Sequence, residues 1–282
     1  MPSATLLAQS VLSGIFIGAL YGLLGLGLSL SWGLLRQINL AHFALAFLAA
    51  YLCYQLSHVM DPLATLLVIV PSFALVGVAI QWVFARFRVS PFNSLLVTFG
   101  LTVIVEAIIQ AIWTADFRKL ESSYAAAKFK VGVLYVPVPE LMTLVAALAL
   151  ATAVHVVLRH TDLGRALRAT AEDGPIAAAF GINQQALAMG LAGACAALAG
   201  VAGVCIALSY TLAPSQIYTW IGVVFATVML GGLGGAIGPL VAGVVIGVSE
   251  SLTMAVTSPA WAPLVSFSLL ILVLLGKRGA IK

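Results

Sequence analysis

Two carboxylates, Glu106 and Glu250, stand inside long apolar runs. A charged side chain at the centre of a lipid-facing helix costs about 2.5–3.5 kcal/mol on insertion scales, so both must face protein or water. Thr98, Thr102, Glu106 and Gln110 follow one another at four-residue steps. Such steps drift by only about 40° on a helix of 3.6 residues per turn, so the four make one polar face. That face could wall an aqueous path, or it could supply hydrogen bonds that merely hold a helical bundle. Glu250 falls on the same face as Gly243, Gly247 and Met254, where a neighbouring backbone can approach closely, and its expected role is to tie packed helices. Asn39 and His42, three apart, either line a cavity or satisfy backbone groups freed by a break in the helix.

A second concentration of polar residues lies between apolar runs. Thr161 or Asp162 can cap a short helix carrying Leu163, Arg165, Leu167 and Arg168, with Glu172 and Asp173 following. Gly174-Pro175 breaks it, Ile176 to Phe180 can form a second short helix, and Gly181 is placed to end that one. At about twenty-five residues the connection is longer than it needs to be, which suggests a docking surface; the alternative is an amphipathic helix resting on lipid headgroups. The chain contains no GxxxxGK[ST] phosphate loop, no HExxH metal pattern and no GxSxG nucleophile. Cys53, Cys195 and Cys205 show no CxxC spacing and read as small core residues, so no metal site or disulfide framework is indicated. If ATP drives anything here, another chain binds it.

The elements that must position these residues are membrane helices. Hydrophobic residues make up 62% of the 282 positions and charged residues 8%, against about a quarter charged in a soluble domain. A bilayer core of about 30 Å takes roughly 20 apolar residues per crossing. Apolar runs lie near Leu6–Ser31, Ala41–Ser57, Leu63–Phe84, Ser94–Thr114, Val138–Leu158, Gln185–Ser209, Tyr218–Leu230, Pro239–Val256 and Trp261–Leu275. They predict an all-α, polytopic bundle of eight or nine segments in one transmembrane domain, 1–282, whose first run is a retained helix. The residues between Trp32 and His42 leave almost no room for a loop and predict a broken or re-entrant helix. Gly14, Gly18 and Gly22 repeat every four residues, as do Gly243 and Gly247, and predict helix-packing faces. The cluster Gly231-Gly232-Leu233-Gly234-Gly235 predicts a tight break between two spans.

The net charge of +4 is scattered over short loops and reads as a topology signal, with no nucleic-acid partner implied. Arg36, Arg86, Arg88, Arg159, Arg165, Arg168, Lys277, Arg278 and Lys282 fall on one side, against Arg118, Lys119, Lys128 and Lys130 on the other. The positive-inside rule then places residues 159–184 and the C-terminus in the cytoplasm and the loop 115–137 outside.

Three blocks of this chain resemble the branched-chain amino acid permease family, membrane subunits of ATP-binding-cassette importers. The first is Gly22-Leu23-Leu24-Gly25-Leu26-Gly27-Leu28 with Trp32-Gly33 and Ile38-Asn39-Leu40-Ala41-His42. The second runs from Leu163-Gly164-Arg165-Ala166 through Arg168-Ala169-Thr170-Ala171-Glu172-Asp173 to Gly181-Ile182-Asn183. The third runs from Gly231-Gly232-Leu233-Gly234 through Gly238, Gly243 and Gly247 to Glu250. Phe43-Ala44 and Ala49 depart from the family's Gly-Glu and glycine after the motif histidine, and Gly276-Lys277-Arg278-Gly279 departs from its Arg-Pro-x-Gly ending. The resemblance implies an inner-membrane permease paired with a second, similar permease, two cytoplasmic ATPases that hold the ATP and Mg, and a periplasmic substrate-binding protein. Its cargo would be branched-chain amino acids or related small polar or carboxylate molecules. It also implies that the coupling helix lies in 163–182, with Arg165, Arg168, Glu172, Asp173 and Gly181 serving ATPase coupling. The rival from another class is a stand-alone secondary transporter or channel with proton-linked Glu106, Glu250 or His42.

Overall fold

Each long apolar run forms a helix in this computed structural model, which describes residues 4–122, 124, 127–258 and 261–279. In chain order the helices are α1 (Ala4–Leu35), α2 (Ala41–Leu56), α3 (Leu66–Arg86), α4 (Pro91–Trp113) and α5 (Val138–His160). Then come the two short helices α6 (Asp162–Glu172) and α7 (Gly174–Ala179), followed by α8 (Gln184–Ser209), α9 (Gln216–Gly231), α10 (Ile237–Val256) and α11 (Ala262–Gly279). Six of them, α1, α3, α4, α5, α8 and α10, are long and apolar enough to cross a membrane; α2 and α9 are apolar but have 16 residues each. The chain is thus a polytopic helical bundle. Lys282, one of the residues used to orient it, lies outside the described residues.

The loop outside the helices adds one small element to the all-helical bundle. The loop 115–137 contains an antiparallel hairpin, β1 (Lys128–Val131) with β2 (Leu134–Pro137), turning at Gly132, whose φ of 63° suits a residue without Cβ. Its alternation of Lys128, Phe129, Lys130 and Val131 is too short to stand out beside helical runs. The Gln9 side-chain amide donates through Nε2 to the Tyr135 carbonyl and accepts through Oε1 from the Tyr135 N–H, so the hairpin lies at the N-terminal end of α1. The C-terminal end of α1 meets α6 instead. These two ends of α1 mark two ends of the bundle.

The core is formed by α1, α2 and α8, where Leu20, Leu24, Phe43, Phe47, Ala199 and Ile206 are all buried. In contrast, α3, α4 and α5 leave Leu67, Leu75, Phe92, Ile104, Ile112 and Val145 exposed, the apolar exterior that lipid requires. The seam between α1 and α10 is made of glycine. A Cβ on Gly18 would stand 2.6 Å from the Val244 Cα, and one on Gly22 2.7 Å from the Leu240 Cα. Gly243 and Gly247 return the contact against Gly18, Gly22 and Gly14, so the two backbones touch along three turns. The glycine cluster after α9 forms the expected break: Gly232 and Gly234 have φ of 91° and 75°, and Ser29 on α1 donates to the carbonyls of Gly232 (3.1 Å) and Gly235 (3.2 Å).

Candidate functional site

The segment between α1 and α2 runs from Arg36 to Leu40 without helical structure, and Arg36 itself sits at φ 55°. A break inside a bundle strands backbone groups that must find partners. Ser31 Oγ donates to the Gln37 carbonyl (3.2 Å) and the Leu40 amide donates to Thr98 Oγ1 (3.1 Å), while the Thr98 hydroxyl lies 3.2 Å from the Ile38 carbonyl. His42 follows the break fully buried. Its Nε2 lies 3.1 Å from the Leu24 carbonyl, which can only accept, so the ring is the tautomer protonated at Nε2. Gly27 makes room for that ring, since a Cβ there would strike it. The Asn39 Oδ1 is buried with no hydrogen-bond partner among the described residues.

The polar face of α4 is real but divided. Thr98 and Thr102 are sealed in the interior, turned toward the break and α2, with Thr102 Oγ1 donating to the Thr98 carbonyl (2.8 Å). Glu106 and Gln110, further along the same face, reach the surface of the chain. Gln110 donates to Glu106 Oε1 (3.2 Å), and the Tyr218 hydroxyl on α9 donates to Glu106 Oε2 (2.6 Å). Four of the six sequence candidates therefore gather around the break, and two stand with Tyr218 in a separate cluster.

Glu250 is buried on the glycine-lined face of α10. Tyr21 Oη on α1 donates to its Oε2 (3.0 Å), and Ser266 Oγ on α11 donates to its Oε1. One carboxylate thus bonds three helices where the backbones are closest. Among the described residues no three His, Cys, Asp or Glu side chains converge as metal ligands would, and the three cysteines are free and buried.

At the other extreme of exposure is the α6–α7 segment. Thr161 caps α6, accepting from the Gly164 amide (3.2 Å), and Asp173 caps α7, accepting from Ile176 (3.1 Å). Gly181 follows α7 at φ 83° and turns the chain. Arg168 bonds back to the Leu158 carbonyl at the end of α5, and Gly164 packs against that same turn with no space for a Cβ. Arg165 pairs with Asp162 in solvent, and the hydrogen bond from its guanidinium holds the Asp162 carboxyl below the usual carboxylate range. Of the five residues expected to serve coupling, Arg165, Arg168, Glu172 and Asp173 are all exposed, and Arg165, Arg168 and Asp173 also bond their own chain, to Asp162, Leu158 and Ile176. Sequence reasoning missed the apolar part of this surface: Ile176 is 57% and Phe180 84% exposed. The signal was present, since an aromatic residue next to the glycine that ends a polar double helix has no core to enter.

At the hairpin end Tyr124 donates to Asp61 Oδ2 (3.0 Å), an interaction that raises the tyrosine hydroxyl above its ordinary value. Arg118 and Leu212 exchange backbone hydrogen bonds, and the Trp113 indole donates to Gln55 Oε1 (3.2 Å). The loop 115–137 is thereby tied to the α2–α3 and α8–α9 connections.

A family model described as the permease component of the branched-chain amino acid transport system matches residues 10–274. The high-affinity branched-chain amino acid transport system permease protein LivH of Escherichia coli (strain K12) is 27% identical over 287 residues, covering 95% of this chain and 92% of that one. LivH of Salmonella typhimurium is 26% identical over 288 residues, with the same coverage. The corresponding protein BraD of Pseudomonas aeruginosa is 24% identical over 292 residues, covering 98% and 95%. No solved structure matches. The match begins inside α1 and ends inside α11, enclosing the break, the α6–α7 segment and the glycine seam, and the chain belongs to the family of branched-chain amino acid permease components, membrane transport subunits rather than enzymes.

Proposed function

We propose that this chain is one of two permease subunits of an ATP-binding-cassette importer that moves branched-chain amino acids or closely related small molecules across the bacterial inner membrane. The observation that carries the reading is the α6–α7 segment: capped at both helices, fastened to α5, and presenting Ile176 and Phe180 outward with nothing among the described residues to cover them. An exposed aromatic anchor on a rigid support is the chemistry of a protein contact. The partner there is a cytoplasmic ATPase, which supplies the ATP and Mg chemistry. A stand-alone secondary transporter or channel is not favoured, since the family match covers the whole bundle.

Three finer features complete the proposal. Helices α1 to α11, leaving aside α6 and α7, give nine crossings, with the N-terminus outside and the C-terminus in the cytoplasm. The support is that α1 has its start at the hairpin and its end at α6, and that α2 ends beside Trp113 on that hairpin side. A second permease covers the face bearing Glu106, Gln110 and Tyr218, because a carboxylate at membrane depth needs water or protein beside it; that face lines the aqueous path. The hairpin end, with Lys128 and Lys130, receives a periplasmic binding protein.

Affinity purification of the tagged chain from membranes tests the reading. Phosphate-loop ATPases are expected to co-purify, and to be lost with Phe180→Ala together with Ile176→Ala while the permease remains monodisperse. A folded chain that carries no ATPase and drives uptake from a proton gradient alone would overturn it.

A further inference from the structure

We propose that Arg36 is a positioning residue that ties the α6–α7 segment to the break between α1 and α2, and through the break to the polar face of α4. The proposal rests on the permease reading above. Its starting point is an orphaned carbonyl. Ala171 lies in the last turn of α6, and its helical donor would be the amide four residues on. That residue is Pro175, which has no N–H. The Arg36 guanidinium supplies the missing donor, its Nη2 standing 2.7 Å from the Ala171 oxygen. A cation at a helix C-terminus also meets the negative end of the helix dipole.

Arg36 reaches that carbonyl from a backbone that arginine rarely adopts. Its φ of 55° is the left-handed region, where a Cβ is unfavourable, so a glycine would suit the turn better and the side chain has another reason to be there. The neighbouring residues carry the position onward. Ile38 and Leu40 both bond the Thr98 hydroxyl, Thr102 bonds the Thr98 carbonyl, and Glu106 lies one further step along the same face. At the opposite end of α6, Gly164 packs against the last turn of α5, and the Arg168 side chain, from the middle of α6, reaches back to the Leu158 carbonyl of that same turn. Thus α6 is fastened at its start to α5 and at its end to the break. A cavity of about 220 Å³, bordered by Arg36, Gln37, Gln81, Glu172 and Gln184, separates these elements and leaves room for the end of α6 to shift. A push on α6 and α7 from the ATPase side would displace the break, and with it the segment of α4 that leads to Glu106.

The test uses the complete transporter in proteoliposomes: this chain, its companion permease, the ATPases and the binding protein. ATP hydrolysis and uptake are measured together for Arg36→Gly and Arg36→Lys. Arg36→Gly relieves the left-handed backbone and removes the donor, so the complex should assemble with an unchanged melting temperature. Loss of a charged hydrogen bond should lower uptake per ATP hydrolysed by about tenfold or more, with hydrolysis retained. Arg36→Lys keeps one ammonium donor and should restore part of that ratio. The proposal is overturned if Arg36→Gly transports with wild-type coupling, or if both variants lose hydrolysis, uptake and melting temperature in parallel. Failure of the wild-type complex to show any ATP-dependent uptake would instead reject the permease reading, and this proposal with it.

Discussion

Glu250 and Glu106 are both carboxylates within apolar helices, yet their surroundings are opposite. Glu250 is buried where α1 and α10 touch backbone to backbone and takes hydrogen bonds from Tyr21 and Ser266 on two other helices. Glu106 stands at the surface of α4, bonded to Gln110 one turn away and to Tyr218 on α9. Close glycine contact leaves no slack, because a backbone cannot rotate out of the way as a side chain can. The first region joins helices backbone to backbone; the second joins α4 to α9 through the Glu106 and Tyr218 side chains. A transporter needs both, a rigid frame and a face that can exchange partners.

The sharpest way to break the comparison is at the seam. Gly18→Leu drives a branched side chain into the backbone of α10, where even a Cβ meets Gly243 O at 2.5 Å. The cost should reach or exceed the ~1–3 kcal/mol usual for overpacking, seen as loss of monodisperse protein in detergent. Second in size is Glu250→Ala, which strands the Tyr21 and Ser266 hydroxyls in the interior at about 1–3 kcal/mol. Glu250→Gln, still able to accept, should lose much less of the melting temperature. For Glu106→Gln the expectation reverses. Stability should change by no more than about 0.5 kcal/mol, as for a surface site, while uptake at saturating binding protein falls. Equal destabilisation by the Gln variants of Glu106 and Glu250 would erase the distinction between the regions.

The smallest effect concerns the exposed Asp162–Arg165 pair. The carboxyl is held below its ordinary range, so its contribution is complete at neutral pH and is lost progressively as pH falls from the ordinary carboxylate value through the lowered one. Amide hydrogen exchange across α6, after correction for intrinsic rates, should therefore stay flat from neutral pH down to the ordinary carboxylate range and rise progressively as pH falls from there through the lowered value. Early loss of protection near pH 6 would point to another group.

The frame was largely legible in the sequence. Apolar runs broken by Pro91, Gly174-Pro175 and the Gly231 cluster mark helix ends because those residues cannot continue a helix, and the four-residue glycine spacing marks the seam. The partners of the carboxylates were not legible. Tyr21 and Glu250 are 229 positions apart, Tyr218 and Glu106 are 112 apart, and each tyrosine reads as one more apolar residue until the helices are set beside one another. The bond from Arg168 back to α5 was hidden for a related reason: a cation in a solvated loop looks available for a partner until the Leu158 carbonyl is placed next to it. The hairpin was missed because four-residue strands carry too little periodicity to compete with the surrounding loop signals.

The most direct test of a fixed seam beside an opening face is thiol labelling during turnover. Single cysteines are placed at Gln110, on the α4 face, and at Ile246, in the α10 seam and fully buried, in a background lacking Cys53, Cys195 and Cys205. The Gln110→Cys variant should react with a water-soluble maleimide, at a rate that changes when ATP and loaded binding protein are added. The Ile246→Cys variant should stay unreactive throughout. Reaction at Ile246→Cys that follows turnover, with Gln110→Cys unlabelled in every state, would contradict the account.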